Sequence, residues 1–337
     1  MELQKGAMMI NNNNVRSLTF ILSSLLFVFA GCRESTKTAE PKDQAVDMYV
    51  DAVMLNDLKE YDKALRKLDD AIELSPEFAM AHSLKGDIYQ QLEQYEKSAE
   101  SYEIATTFDP YNIADFMNLG KVYRVLKDFV RAAGAYVRAA GIEPDNYEAN
   151  LGAAQCYSLS GNLPAAMEYA DKAAKLDSTA VEPQVILGDA FEEKEDYESA
   201  VASYKRAMEL KGGDPKIMTS LAVAYLHSKR YSAAKELLDS ALKIEPEYGM
   251  AHQYLGFAQL KLKQPDAAME CYLRAVGIDQ NDWMARKGLG VVYMLKSIKE
   301  NDVNFKAMAI EQWNLSLKIN PDQPKLVTLL NKYTSPN

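Results

Sequence analysis

A period of 34 residues governs this chain. With Ala45 at position 1, new units start at Ala79, Ile113, Tyr147, Val181, Pro215, Gly249 and Trp283, each step being 34 residues. Position 8 is always small: Ala52, Gly86, Gly120, Ala154, Gly188, Ala222, Gly256 and Gly290. Position 20 is small in the first seven units, from Ala64 to Ala268, and position 27 is alanine in all seven, from Ala71 to Ala275. Pro76, Pro110, Pro144 and Pro246 close their units at position 32. A unit this short cannot enclose a core of its own, so each copy has to bury its apolar face against the next.

The apolar residues at positions 7, 8 and 11, and again at 20, 24 and 27, follow helical spacing on either side of a short turn. Each unit is therefore read as two antiparallel helices, A and B. Small residues at positions 8 and 20 let the pair approach closely. Bulky ones at position 24 (Tyr102, Tyr136, Tyr204, Leu238, Tyr272) fill the space between. Position 30 (Phe108, Ile244, Ile278 and their equivalents) is expected to close the bottom of helix B, and proline at position 32 ends it. The pattern resembles the tetratricopeptide repeat. The resemblance covers residues 45–321 and implies an all-α, right-handed α-solenoid of eight antiparallel helix-pair repeats.

Both ends depart from the pattern. In the eighth unit Ala309, Trp313 and Pro321 fill positions 20, 24 and 32 only after an offset of seven residues. Either each helix is a turn longer or residues 297–304 form a loop; Asn301 and Asp302 favour the loop. In residues 322–337, Leu326, Leu329, Leu330 and Tyr333 share one face, which predicts a capping helix followed by a tail.

Residues 1–31 read as a signal peptide. The apolar stretch Leu18–Ala30 is 13 residues long, too short to span a bilayer and suited to a secretory segment. It ends in Phe29-Ala30-Gly31-Cys32, which resembles the lipobox of bacterial lipoproteins, with phenylalanine where that family usually has leucine. The resemblance implies that Cys32 is the lipidation site and the first mature residue. The alternatives are an ordinary cysteine beside a cleavage site or an uncleaved anchor. Residues 32–44 would then be the lipidated Cys and a flexible tether. The implied location is the cell envelope, at the outer membrane facing the periplasm.

The net charge of −10 argues against a nucleic-acid partner, which normally selects a basic stripe. No HExxH, paired CxxC or phosphate-cradling glycine loop occurs, so neither an enzyme nor a cofactor is expected. His82 and His252 read as packing residues, His227 stands alone, and Cys156 and Cys271 lie too far apart to pair.

In the tetratricopeptide family, helix A lines the concave face through positions 2, 5, 9 and 12. Those positions are polar early in the chain (Tyr49, Ser83, Asp87, Gln90, Lys121, Arg124) and acidic in unit five (Glu182, Asp189, Glu192, with Glu193 beside them). From unit six they turn apolar: Val223, Leu226, Met250, Phe257, Leu260, Met284, Val291 and Met294. Core packing does not require large apolar groups there, so this stretch is the expected partner-binding groove; the alternative is that a tightly coiled array half-buries these residues or that the C-terminal helix covers them. Lys287 has the place of the first lysine in the basic clamp of some family members, but Val291 replaces the clamp's asparagine. The acidic stretch reads as a solvated face. The expected function is a membrane-tethered scaffold for a protein or peptide partner, assisting assembly of an envelope complex such as a pilus secretin. The alternatives are an adaptor that recruits periplasmic cell-wall enzymes and, behind it, an enzyme with an unrecognised site.

Overall fold

A computed structural model describes residues 41–334. The predicted signal peptide and Cys32 lie outside the described residues. Among those described there are helices and no strands. They run in A–B pairs: α1 (Pro41–Asp57) with α2 (Tyr61–Leu74), α3 (Ala79–Gln91) with α4 (Tyr95–Phe108), and α5 (Ile113–Val125) with α6 (Phe129–Ile142). Next come α7 (Tyr147–Leu159) with α8 (Leu163–Leu176), α9 (Glu182–Glu193) with α10 (Tyr197–Leu210), and α11 (Pro215–His227) with α12 (Tyr231–Ile244). The last pairs are α13 (Gly249–Lys261) with α14 (Pro265–Ile278) and α15 (Trp283–Glu300) with α16 (Val303–Ile319), followed by α17 (Pro324–Thr334). The first helix begins at Pro41, so the last four residues of the expected tether are helical.

Each A-to-B turn is built alike. Position 15 is left-handed in the first seven units, at Lys59, Glu93, Lys127, Gly161, Glu195, Lys229 and Lys263, and in the eighth its equivalent is Asn301, four residues later because helix A is about a turn longer. The next residue's N–H reaches back to the carbonyl at position 11, as from Asp128 to Tyr123 (2.9 Å) and from Arg230 to Tyr225 (2.8 Å). These bonds satisfy carbonyls that the end of helix A would leave open. Several turns then start helix B with a side-chain cap: Asp128, Asn162 and Asp196 accept from the N–H three residues on.

In most units the position-24 ring is the wedge of the core. Tyr136 is held between Gly120 of its own helix A and Gly152 of the next, where added Cβ atoms would come within 2.8 and 2.7 Å of it. Tyr204 sits 2.5 Å from where a Cβ on Gly188 would stand. Tyr272 is clamped in the same way by Gly256 and Gly288, and Trp313 lies over Gly290. Position 30 closes the helix ends less tightly than expected: Phe108 and Ile244 remain 41% and 53% exposed.

The eighth unit resolves the offset as longer helices. α15 has 18 residues where α13 has 13, and α16 has 17 where α14 has 14. The turn is shortened to Asn301-Asp302, and Asn301 takes the left-handed conformation that asparagine tolerates. Asn301 and Asp302 thus mark the turn itself, with helix on both sides where a longer loop was favoured. α17 packs Leu326, Leu329, Leu330 and Tyr333 against the core around Trp313, as a cap.

Successive A helices touch one another, as α7 does α9 and α11 does α13, whereas successive B helices make no comparable contact. Helix A therefore lines the inside of the curve. Two outcomes follow from this packing. Gly188→Ala should destabilise the array by about 1–3 kcal/mol in a urea titration, because Tyr204 cannot retreat. Gly134→Ala, where a Cβ meets nothing within 4 Å, should stabilise α6 by up to about 1 kcal/mol. Glycine at Lys59, Lys127 or Lys263 should relieve the left-handed turn and add up to about 1 kcal/mol each, read as a raised denaturation midpoint.

Candidate functional site: the inner face of the A helices

The position-24 tyrosines carry a hydroxyl through the core to the inner face. In unit two Tyr102 donates to Asp87, at position 9, and to Gln90, at position 12 (3.3 Å). In unit five Tyr204 donates to Asp189 (2.5 Å) and Glu192 (3.2 Å), at the same two positions. The early groove residues are tied together further. Ser83 donates to Asp115, which also accepts from Asn112 (2.9 Å), and Arg124 donates to Gln155 (3.2 Å).

Burial raises the carboxyl pKa of Asp87, Asp115, Asp189 and Glu192, while hydrogen bonds from Tyr102, Ser83 and Tyr204 offset part of the rise. The acidic stretch of unit five is thus partly engaged within the protein. Glu192 also lies 3.8 Å from Nε2 of His227, whose ring stacks on Tyr197 with centroids 4.8 Å apart. His227, which the sequence leaves isolated, is a bridge between units five and six. No group of three metal-ligating side chains occurs among the described residues.

Beyond unit five the inner face opens into a cavity of about 1050 Å³. Of the eight expected groove residues, six line it: Val223 and Leu226 on α11, Phe257 and Leu260 on α13, and Met284 and Val291 on α15. Val223 and Leu226 form its floor and are almost fully buried, while Phe257 and Met284 remain 38% and 42% exposed. Two residues lie elsewhere. Met250 is exposed outside the cavity beside the Tyr248 hydroxyl (3.7 Å). Met294 is buried in the terminal core with Trp313 and does not face the cavity.

The cavity has walls that groove positions alone do not reveal. Trp283, Tyr254 and Tyr272 line it, and α17 closes one side with Leu326 and Leu329. Tyr272 was legible only as a core wedge. Its place in the wall follows from the fact that position-24 hydroxyls emerge beside positions 9 and 12. In unit seven those positions are Phe257 and Leu260, which offer no acceptor. Tyr272 is 3% exposed, and its hydroxyl makes no hydrogen bond with any described residue. Burial pushes the thiols of Cys156 and Cys271 up to about 11, so both stay protonated and unreactive near neutral pH.

Family models described as tetratricopeptide repeat match residues 57–113, 126–181, 192–247 and 228–288. Together these spans exceed half of the chain. The chain belongs to the tetratricopeptide repeat family. Tetratricopeptide arrays are protein–protein interaction scaffolds, and this array shares their fold. It is 30% identical over 94 residues to the small glutamine-rich tetratricopeptide repeat-containing protein 2 of Mycosarcoma maydis, over 28% of this chain and 27% of that protein. It is 26% identical over 182 residues to the PEX5-related protein of Mus musculus, over 49% of this chain and 30% of that protein. The chain thus spans less than a third of these curated relatives.

Among solved structures, a chain of the APC/C hetero-tetramer Cut9-Hcn1 aligns with a TM-score of 0.57 and 19% identity, over 82% of this chain and 53% of its own. The C-terminal part of a tetratricopeptide repeat-containing protein from Cytophaga hutchinsonii aligns with a TM-score of 0.56 and 15% identity, over 72% of this chain and 97% of its own. At such identities the likeness is one of fold.

The tyrosine hydroxyls give a paired prediction for the unliganded protein. Tyr204→Phe should cost about 1–2 kcal/mol, because two carboxylates lose their donor. Tyr272→Phe should be close to neutral, because no protein acceptor is lost. Urea unfolding of the two variants measures the difference.

Proposed function

We propose that this chain is a membrane-tethered scaffold. On this reading the cavity of units six to eight holds an apolar segment of a partner protein, and Cys32 carries a lipid that fixes the array to the cell envelope. The observation that carries the first half is the cavity itself. A concave site of this size, floored by Val223 and Leu226 and walled by Phe257, Met284 and Trp283, exceeds what stacking of the repeats requires. Methionine and aromatic side chains adapt their packing to varied apolar partners.

The second half rests on sequence. A 13-residue apolar stretch ends in Ala30-Gly31-Cys32, and a polar segment follows it. No helix of the described residues is long and apolar enough to cross a membrane. A lipid on Cys32 would hold the array at a membrane face without spanning it. The client class that fits such a scaffold is another envelope protein, such as a secretin subunit during its assembly.

Phe257→Glu combined with Leu260→Glu places two charges in the cavity. A photo-crosslinker at Met284 should trap a partner in cells with the parent cavity and fail with the double variant, whose fold is checked by its thermal melt. Undiminished crosslinking would overturn the groove. Cys32→Ser should abolish labelling by a palmitate analogue and release the protein from the membrane fraction. Unchanged labelling would overturn the anchor.

A further inference from the structure

The cavity is apolar inside and cationic at its mouth. Lys229, Lys261, Lys287 and Lys325 all line it, against one acidic residue, Asp322. None of the four lysines lies within ion-pair distance of a carboxylate among the described residues, whereas Lys296 on the same helix as Lys287 pairs with Asp266 (2.5 Å) and Glu300 (3.6 Å). In a chain of net charge −10, unpaired cations gathered at one opening run against the composition. Two of them are held in place by rings: the Lys287 ammonium lies 4.8 Å from the Trp283 centroid, and that of Lys261 lies 5.2 Å from the Phe257 centroid. Lys287 is also partly desolvated, which lowers its pKa and leaves it short of a counter-charge.

Inside the mouth stands Tyr272, nine-tenths buried and more, with its hydroxyl unpartnered. Its counterparts Tyr102 and Tyr204 show what this hydroxyl does elsewhere in the array: it donates to acidic or amide side chains at positions 9 and 12. Unit seven has exchanged both acceptors for Phe257 and Leu260, so the hydroxyl reaches the cavity surface with no acceptor from its own array. The missing acceptor is one that an occupant can bring.

We infer that the occupant is an acidic amphipathic protein segment. Its large apolar side chains enter between α13 and α15. Its Asp and Glu residues meet Lys229, Lys261, Lys287 and Lys325, and one of its oxygens accepts from Tyr272. The inference rests on the groove reading above and adds the chemistry of the partner. Glu192 of unit five lies 3.8 Å from His227, which lines the cavity, so the acidic residues of the segment face the α13, α15 and α17 side, away from it.

The test uses the mature chain against a displayed library of random 12-residue peptides, about three helical turns in length. Peptides that compete at the cavity, as shown by loss of binding to the Phe257→Glu variant, should be enriched in Asp and Glu flanking Phe, Leu or Met. A selected peptide should bind Tyr272→Phe about 5- to 10-fold more weakly, the scale of one hydrogen bond. It should bind Lys261→Glu with Lys325→Glu at least about tenfold more weakly, and added salt should narrow that difference. Both lysines are exposed, so the double variant should keep its thermal melt. Cavity-dependent peptides with no charge bias, or with a basic bias, would overturn the inference and leave the groove reading standing. Failure to select any cavity-dependent peptide would overturn both. Binding of phosphatidylglycerol vesicles through the same lysines, in place of acidic peptides, would assign the mouth to a membrane surface and overturn the inference as well.

Discussion

The fold depends on an aromatic ring wedged between helices that have no side chain at the point of contact. Tyr136 between Gly120 and Gly152, and Tyr272 between Gly256 and Gly288, set how closely helix A of one unit approaches helix A of the next. Interiors pack at crystal-like density, so the ring's thickness is transmitted as spacing. Trp313 performs the same task with a larger ring over Gly290, in the unit whose helices are longer. Where position 24 is Ala170, the neighbouring Tyr169 packs its ring near Tyr157 instead (5.8 Å). One contact type, repeated with small adjustments, is what makes an open-ended stack regular.

The same ring also couples core to surface. A phenylalanine would wedge equally well, yet the tyrosine hydroxyl passes through to the inner face and reads out positions 9 and 12. Where these are carboxylates or amides the inner face becomes an internally bonded polar lining. Where they are apolar the hydroxyl is left facing a cavity. The differences among units are thus expressed against a constant background, and the unit with the largest mismatch is the one whose surface has the most to gain from a ligand.

The period made nearly every helix legible, because helical spacing and proline placement were local signals repeated in register. The groove was legible in part. Positions 9 and 12 located Val223, Leu226, Phe257, Leu260 and Val291, since their direction follows from helix geometry alone. Met294 is instead buried in the terminal core with Trp313, in keeping with the alternative that these positions are covered within the array. The lysine mouth escaped local reading: Lys229 is a turn residue, Lys287 is on helix A and Lys325 is on the cap, and only the stacked array brings them together. The left-handed turns escaped because lysine and glutamate occupy positions where glycine would have announced the conformation.

The two ends of the array are unequal. At one end α17 seals the core around Trp313. At the other, the contact between α2 and α3 is the sparsest of the joints between a B helix and the following A helix. In an array held by nearest-neighbour coupling, opening begins at the weakest joint and proceeds unit by unit. Among the repeats, unit one is therefore the one most easily released, and the cavity lies several units away from it. The cap is held to α16 by a thinner joint still, so its release would open the cavity wall that Leu326 and Leu329 form.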